Sequence, residues 1–391
     1  MQIVLFRESA ALEVAAVDLK SMLADGDYIN FPYMTAAGAV TYTRDGAITN
    51  KDIFSGHDQL QVNTAKVVPI YVDDIDRVQN NWSVQAEHAR RSQKTLNTVM
   101  DQLVNYTGYA AAASYVDAGN VGGTAGDLIT MAVSNMDQLM AGIDTKLNEL
   151  DVPANNRFAM FGPRAKAVLN RYIGGKETAM GDIIGANGKL TNRFGFELFY
   201  SNNNYYTATF TEAAAMTADT DTVTINGAVL ADVTAVDAGT TNTTIEVLHN
   251  ANTTASILNF SYAINDTGGT AGTEWGDNKL TNAAARWKLT KCGAYATVSA
   301  NVLSLTAYGD IVISASMTDA TNLWSAQTSH MLCGVKKAVK IVTQVNADIE
   351  VKDVYNKLGK NIFVWNLYGS KVPTDMEEFL IYAKIDATSW T

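Results

Sequence analysis

The chain has 391 residues, 47% of them hydrophobic, which is enough to bury a substantial core and to divide into two or more domains. With 29 basic against 40 acidic residues the net charge is -11, so sequence-independent attraction to phosphate backbones or anionic lipid is excluded. No apolar run approaches the length of about 18 residues that crosses a membrane. The opening MQIVLF, cut short by Arg7 and Glu8, lacks the pattern of a secretory signal, and a soluble protein is expected. Cys292 and Cys333 stand far apart in no metal-ligand spacing and read as reduced, buried thiols.

Residues 1–30 read as a terminal arm. LEVAAVDLKSML places Leu12, Ala15 or Ala16, Leu19 and Leu23 at helical spacing, too little for a core of its own. From 31 to 72 short β-type runs (VTYT, AITNKDIF, LQVNTAKVVPIYV) are broken by Gly and Asp. They predict an extended hairpin with its tip around Arg44 to Gly56. Val40, Tyr42, Ile48, Ile53 and Phe54 have no covering helix there, so this ribbon needs a neighbour.

Residues 80–107 contain no Pro or Gly and carry apolar side chains at helical spacing, which predicts the longest helix; Glu87 and Arg91 form an i,i+4 pair on it. DLITMAVSNMDQLMAGIDTKLNEL predicts a second amphipathic helix, ended by Val152-Pro153. A strand (RFAMFG), a helix opened by Pro163, a Gly-rich loop over 174–188 and a strand (FGFELFYSNN) follow. Residues 204–330 are rich in Thr, Ala, Asn and Asp, with Asn226-Gly227 a type I′ hairpin signal, and predict a mainly-β, separately folding insertion. Residues 331–391 return to the body with strand-like runs.

Three carboxylates, Asp73, Asp74 and Asp76, fall within four positions after the strand VVPIYV. A metal or acid/base site would need further ligands from elsewhere. The structural alternative uses every residue: Asp76 as N-cap, Gln79 as its capping-box partner, and all three carboxylates at the positive end of a long helix. IGGKET, around Lys176 and Glu177, fails as a phosphate loop, since Glu177 stands where Ser or Thr would hold magnesium; a mobile loop near a subunit contact is the better reading. His57, His88, His249 and His330 are scattered, and Arg90-Arg91 is an isolated basic pair on a helix face. No cofactor and no enzymatic site is expected.

The order of parts resembles the major capsid protein of tailed bacteriophages, the Hong Kong 97-like fold. The phrases that carry it are "VDDID" before a long helix, then Val152-Pro153, Arg157 and Pro163, then Gly195-Phe196 through Ser201-Asn202-Asn203. NIFVWNLYGSKV looks like that family's closing strands. The resemblance implies an α+β subunit: an arm over 1–30, an extended loop over 31–72, a spine helix with peripheral and first axial parts over 73–203, and a return over 331–391; the insertion read over 204–330 departs from the family's minimal pattern, although some members carry a β-rich insertion in the axial domain. The resemblance also implies hexamers and pentamers in an icosahedral head assembled in the bacterial cytoplasm. Portal, scaffold or decoration proteins would be partners, and double-stranded DNA would be enclosed without specific binding. Candidate contact residues are Tyr42, Arg44, Ile48, Lys51, Phe54, Arg90, Arg91, Lys176 and Glu177. Some members crosslink a loop Lys to a neighbour's Asn, but no matching motif accompanies Lys51 and Asn50. The rival readings are an encapsulin-type compartment of the same fold, and a metal-dependent hydrolase or carbohydrate-binding protein using Asp73, Asp74 and Asp76.

Overall fold

The computed structural model describes every residue except 1–9, 18, 24–25, 35–38, 48–54, 76–83, 176–191, 237–243, 251, 271–273, 276–282, 355–357 and 391. In chain order its elements begin with α1 (Ala11–Val14), β1 (Tyr28–Met34), β2 (Ser55–Gln61), β3 (Thr64–Asp73) and the long α2 (Val84–Ala111). Then come β4 (Ser114–Val116), β5 (Ile129–Met131), α3 (Met136–Glu149), β6 (Arg157–Phe161), α4 (Pro163–Gly174), β7 (Asn192–Arg193) and β8 (Phe196–Tyr200). Next are β9 (Tyr205–Thr211), β10 (Thr222–Ile225), β11 (Ala228–Val233), β12 (Ile245–Leu248), α5 (Thr253–Asn265) and α6 (Ala283–Cys292). The chain closes with β13 (Tyr295–Ser299), β14 (Val302–Tyr308), β15 (Ile313–Ser316), β16 (Leu323–Val335), β17 (Lys340–Asp353), β18 (Gly359–Lys371) and β19 (Leu380–Trp390). Two compact units result, Met1–Ala113 with Val335–Leu380, and Ser114–Gly334 with Ile381–Thr391.

In the first unit β17, β18 and β3 form an antiparallel sheet, and α2 lies on one face of it. Leu96 of α2 meets Val68, Val72, Ile362 and Val364, residues that the strand period of two puts on one side. A bulge in β17 leaves Ala347 at φ 47°, and its N–H donates to Asn366 Oδ1 at 2.5 Å. Asn366, fully buried, donates in turn to Met100 Sδ of α2 at 3.2 Å. Among the described residues the arm is α-helical over α1, whose first N–H groups donate to the buried Asp101 of α2: Ala11 N at 2.7 Å and Leu12 N at 3.3 Å. The α-helix expected through Leu23 is interrupted at Ala16, which exchanges backbone hydrogen bonds with Val339 and Ile341, and a single 3-10 turn follows over Lys20–Met22. That outside offer of backbone partners outweighs helical periodicity.

The second unit is built on a large mixed sheet in the order β13-β14-β9-β16-β6-β8-β7, to which β19, β4 and β5 are joined through β16. β6 and β8 are parallel and are connected across α4. Pro163 stands at the first turn of α4, where its missing N–H costs nothing. Asp310 caps this helix from the far side of the sequence, accepting Arg164 N–H at 2.8 Å. A Cβ on Gly162 would stand 2.6 Å from that carboxylate, so the position requires glycine. The helix predicted over DLITMAVSN is instead β5, with Ile129 and Met131 buried and Thr130 exposed. The side chain of Asn135 then turns the chain into α3, accepting Ala132 N–H at 3.0 Å and donating to Thr130 O at 2.7 Å.

Asn226 (φ 51°) and Gly227 (φ 78°) make the two-residue turn between β10 and β11, the type I′ geometry that their sequence calls for. These strands, with β12 and β15, form a four-stranded sheet. The expectation of strands in this stretch holds, but two helices correct "mainly β". α5 is capped by Asn252, whose Oδ1 accepts from Thr254 N and Ala255 N, and it buries Ile257, Phe260, Ala263 and Ile264 at helical spacing. α6 buries Ala285, Leu289 and Cys292. The apolar core here is continuous from Val223 and Leu230 of the small sheet to Leu303 and Leu305 of the large one, and on to Ala387 of β19.

Arg157 is the tightest polar fastening in this unit. Its guanidinium donates to Asp144 Oδ1 (2.6 Å), Asn148 Oδ1 (2.7 Å), Pro153 O (3.0 Å) and Val152 O, tying the end of α3 to the start of β6. Arg157→Ala leaves the two carbonyls without their donor and is expected to cost about 2–3 kcal/mol, read as a lowered urea midpoint with an unchanged slope.

Candidate assembly interface

The ribbon begins at a buried root. Ile29, Leu60 and Val62 pack with Val342, and Leu19 and Leu23 of the arm cover them in part. Gly369 of β18 accepts the close approach of the ribbon's backbone, since a Cβ there would collide with the Gln61 carbonyl. Asp58 of β2 fixes the angle of departure, taking Thr374 N–H at 2.7 Å and Lys371 Nζ at 3.1 Å. The Thr374 backbone hydrogen bond above all, with Lys371 helping, holds the Asp58 carboxyl below its ordinary range.

Away from the root the ribbon loses its cover. Met34 is 75% exposed and Tyr42 63% exposed, and Val40 also faces solvent. Tyr42 and Arg44 lie in the described part between the strands, where Gly46 N–H closes a turn on Thr43 O; VTYT is not a strand. Ile48, Lys51 and Phe54 lie outside the described residues, as do Lys176 and Glu177.

The three-stranded sheet has a second apolar face. Opposite α2, the rows Val67 with Trp365 and Pro69 with Phe363 stand beside Asp348 and Glu350 of β17. Ala65, Val67, Phe363 and Trp365 line a shallow groove of about 300 Å³ with Glu350 and Lys352 at its rim, those two paired at 3.0 Å. Val67 is 55% exposed. A strand apolar at successive positions, as VVPIYV and NIFVW are, belongs to a sheet covered on both faces. Here the chain's own α2 covers one. The alternate residues of those two runs were the sequence signal for this face.

Arg90 and Arg91 both hold Glu87, at 3.1 and 2.8 Å, and those two hydrogen bonds, Arg90's the stronger, take the Glu87 carboxyl down to about 2. The predicted i,i+4 pair is present, with Arg90 as an added partner. Asp76 and Gln79 lie outside the described residues. Asp73 accepts Ile75 N–H at 2.8 Å, and Tyr71 OH donates to Leu358 O at 2.7 Å. Among the described residues no group of three or more His, Cys, Asp or Glu is placed to hold a metal ion. Cys292 and Cys333 are buried thiols outside any disulfide, the Cys292 thiol donating to Leu289 O at 3.2 Å, and burial pushes the Cys333 thiol up to about 12. His330 is a core residue, stacked on Tyr205, edge-on to Tyr382 and 2.9 Å from Thr207 Oγ1; burial takes it down to about 3, so the ring is neutral.

Taken by its architecture, the chain has the α+β fold of a phage capsid protein. It matches a protein of Mycobacterium phage Che8 with a TM-score of 0.57 and 13% identity, over 100% of this chain and 95% of that one. It matches the capsid structure of the cyanophage P-SCSP1u with a TM-score of 0.52 and 11% identity, over 99% and 91%. No family model matches the sequence, and no curated protein does. At such identities the likeness is one of fold.

Asp58→Ala removes the fastening of the ribbon while leaving its strands paired. It is expected to cost about 1–2 kcal/mol and to speed proteolysis between β1 and β2. Because the folded carboxyl titrates below its ordinary value, the stability it contributes is present above that value and is lost as pH falls through the lower one. In Asp58→Asn this acid-side loss is smaller, measured by urea unfolding at pH 3 and 6.

Proposed function

We propose that this chain is a major capsid protein, a structural subunit that associates with copies of itself into the closed shell of a phage head. The observation that carries the proposal is the first unit's sheet, apolar on both faces and covered by α2 on one, together with a ribbon whose distal apolar residues face solvent. A second copy is the occupant that fits. It brings the same ribbon, with Tyr42 and Met34 as apolar anchors and Arg44 to face the Asp348 and Glu350 side of the groove. Such a contact joins two different patches and so generates rings and shells rather than isolated dimers.

The finer reading is the Hong Kong 97-like one: hexamers and pentamers in an icosahedral head that encloses double-stranded DNA. In it α2 is the spine helix, residues 31–72 are the extended loop, the second unit supplies the axial part, and residues 204–330 are an insertion on it. Tyr42, Arg44, Ile48, Lys51, Phe54, Arg90, Arg91, Lys176 and Glu177 are its subunit contacts. A net charge of -11 favours a genome that is held by enclosure and not by adhesion. Portal and scaffold or decoration proteins complete the assembly.

The test is Val67→Glu beside the native chain. Since Val67 is exposed, the variant is expected to unfold within about 0.5 kcal/mol of the native chain, yet to sediment as free subunits where the native chain gives shells in negative-stain micrographs. A native chain that stays monomeric in every condition, with its partner proteins present, would falsify the reading.

A further inference from the structure

The second unit contains a group of buried carboxylates that the capsid reading does not use. Glu212 follows β9, Asp221 precedes β10 and Asp232 lies in β11; all three are at most 1% exposed. Backbone bonds pin the two aspartates together, Asp232 N–H donating to Asp221 O at 3.0 Å and Asp219 N–H to Asp232 O at 2.8 Å, while Glu212 N–H donates to Asn301 O at 3.1 Å. The segment 212–221 is folded over them. Met216 N–H reaches Glu212 Oε1 at 3.3 Å, and Thr217 N–H reaches Asp221 Oδ2 at 2.8 Å. Thr318 gives both its N–H and its hydroxyl to Asp221 Oδ1, each at 2.7 Å.

Donors are distributed unequally. Asp221 has partners on both oxygens, and Asp232 Oδ2 has His249 Nδ1 at 2.7 Å. Glu212 Oε2 and Asp232 Oδ1 are buried without any partner. A buried carboxylate lacking donors is among the costlier arrangements in a protein, and the group takes up a proton in preference to staying charged.

We propose that Glu212 is kept as the neutral acid in this cluster and that its ionisation unlatches the segment 212–221, making the domain around β10 and β11 looser at neutral pH than in mild acid. Burial drives this first, pushing the Glu212 carboxyl up to about 7, and the negative charges of Asp232 and Asp221 add to it, against the Met216 N–H. Asp232 is raised too, mainly by burial, with His249 opposing and Asp221 and Asp219 adding. Among the described residues, Asp219, Asp221, Asp232 and His249 are the titratable groups that face this cluster from the neighbouring elements. A folded value above the ordinary 4.5 means stability that is complete in acid and is lost as pH rises to about 7.

The experiment is amide hydrogen exchange on the purified full chain at pH 5 and 7, each corrected for the intrinsic rate. Protection at Met216, Thr217, Asp219 and Asp232 is expected to fall by about 40-fold in all between pH 5 and 7. In Glu212→Gln the fall is expected to vanish, and in His249→Gln to persist. Equal protection at both pH values in the native chain overturns the proposal, as does a fall that survives in Glu212→Gln. Should Glu212→Gln not fold, a carbon-13 titration of the native Glu212 carboxyl decides: a midpoint near 4.5 overturns it. None of these readouts depends on assembly.

Discussion

Everything distinctive about the first unit follows from a sheet with two apolar faces and one helix to cover them. The face toward α2 is complete, with Leu96, Val68, Val72, Ile362 and Val364 in contact and the bulge at Ala347 satisfied by Asn366. The face bearing Val67, Phe363 and Trp365 is open. A monomer gains nothing from that exposure, whereas a subunit gains association free energy when a copy covers it. The ribbon obeys the same constraint from the other side. It is stiff where Asp58 and Gly369 hold its root and uncovered where Met34 and Tyr42 stand.

The second unit is organised around a core that its own chain closes, although Trp287, Tyr295, Val312 and Leu323 stay exposed on its surface. The core from Val223 through Leu303 to Ala387 is closed, and polar groups inside it carry out fastening tasks. Arg157 holds α3 to β6, Asp310 caps α4, and Asn252 starts α5. A unit with a core closed by its own chain suits a subunit that keeps its shape before assembly. The carboxylates at Glu212, Asp221 and Asp232 are the exception within that unit.

Where a signal was local, the sequence disclosed the element. The uninterrupted run of α2, the Pro163 start of α4, RFAMF as a buried strand and Asn226-Gly227 as a tight turn each depend on residues within a few positions. Where the outcome depended on distant backbone, it did not. DLITMAVSN satisfies a helical period, yet Ile129 and Met131 are claimed by β19, whose Ile385 pairs with Ile129. The arm satisfies one too, and Ala16 is claimed by β17. The apolar rows of α5 and α6 were present at helical spacing but were obscured by a Thr- and Asn-rich composition that favours strands and turns. For the candidate interface, Tyr42 and Arg44 were found through the lack of a covering helix. Val67 and Trp365 were missed because an apolar strand is ordinarily taken as buried. The buried carboxylates could not be read at all, since Glu212 and Asp232 meet only through the fold.

The central claim is that the open face and the ribbon are completed by copies of the chain. Amide hydrogen exchange on the free subunit and on the assembled particle tests it most directly, followed at β1, β2 and β3. The account predicts fast exchange at these strands in the free subunit and slowing by about 100-fold or more on assembly, with α3 and β6 unchanged. Exchange at β1, β2 and β3 that is the same in both states would contradict it.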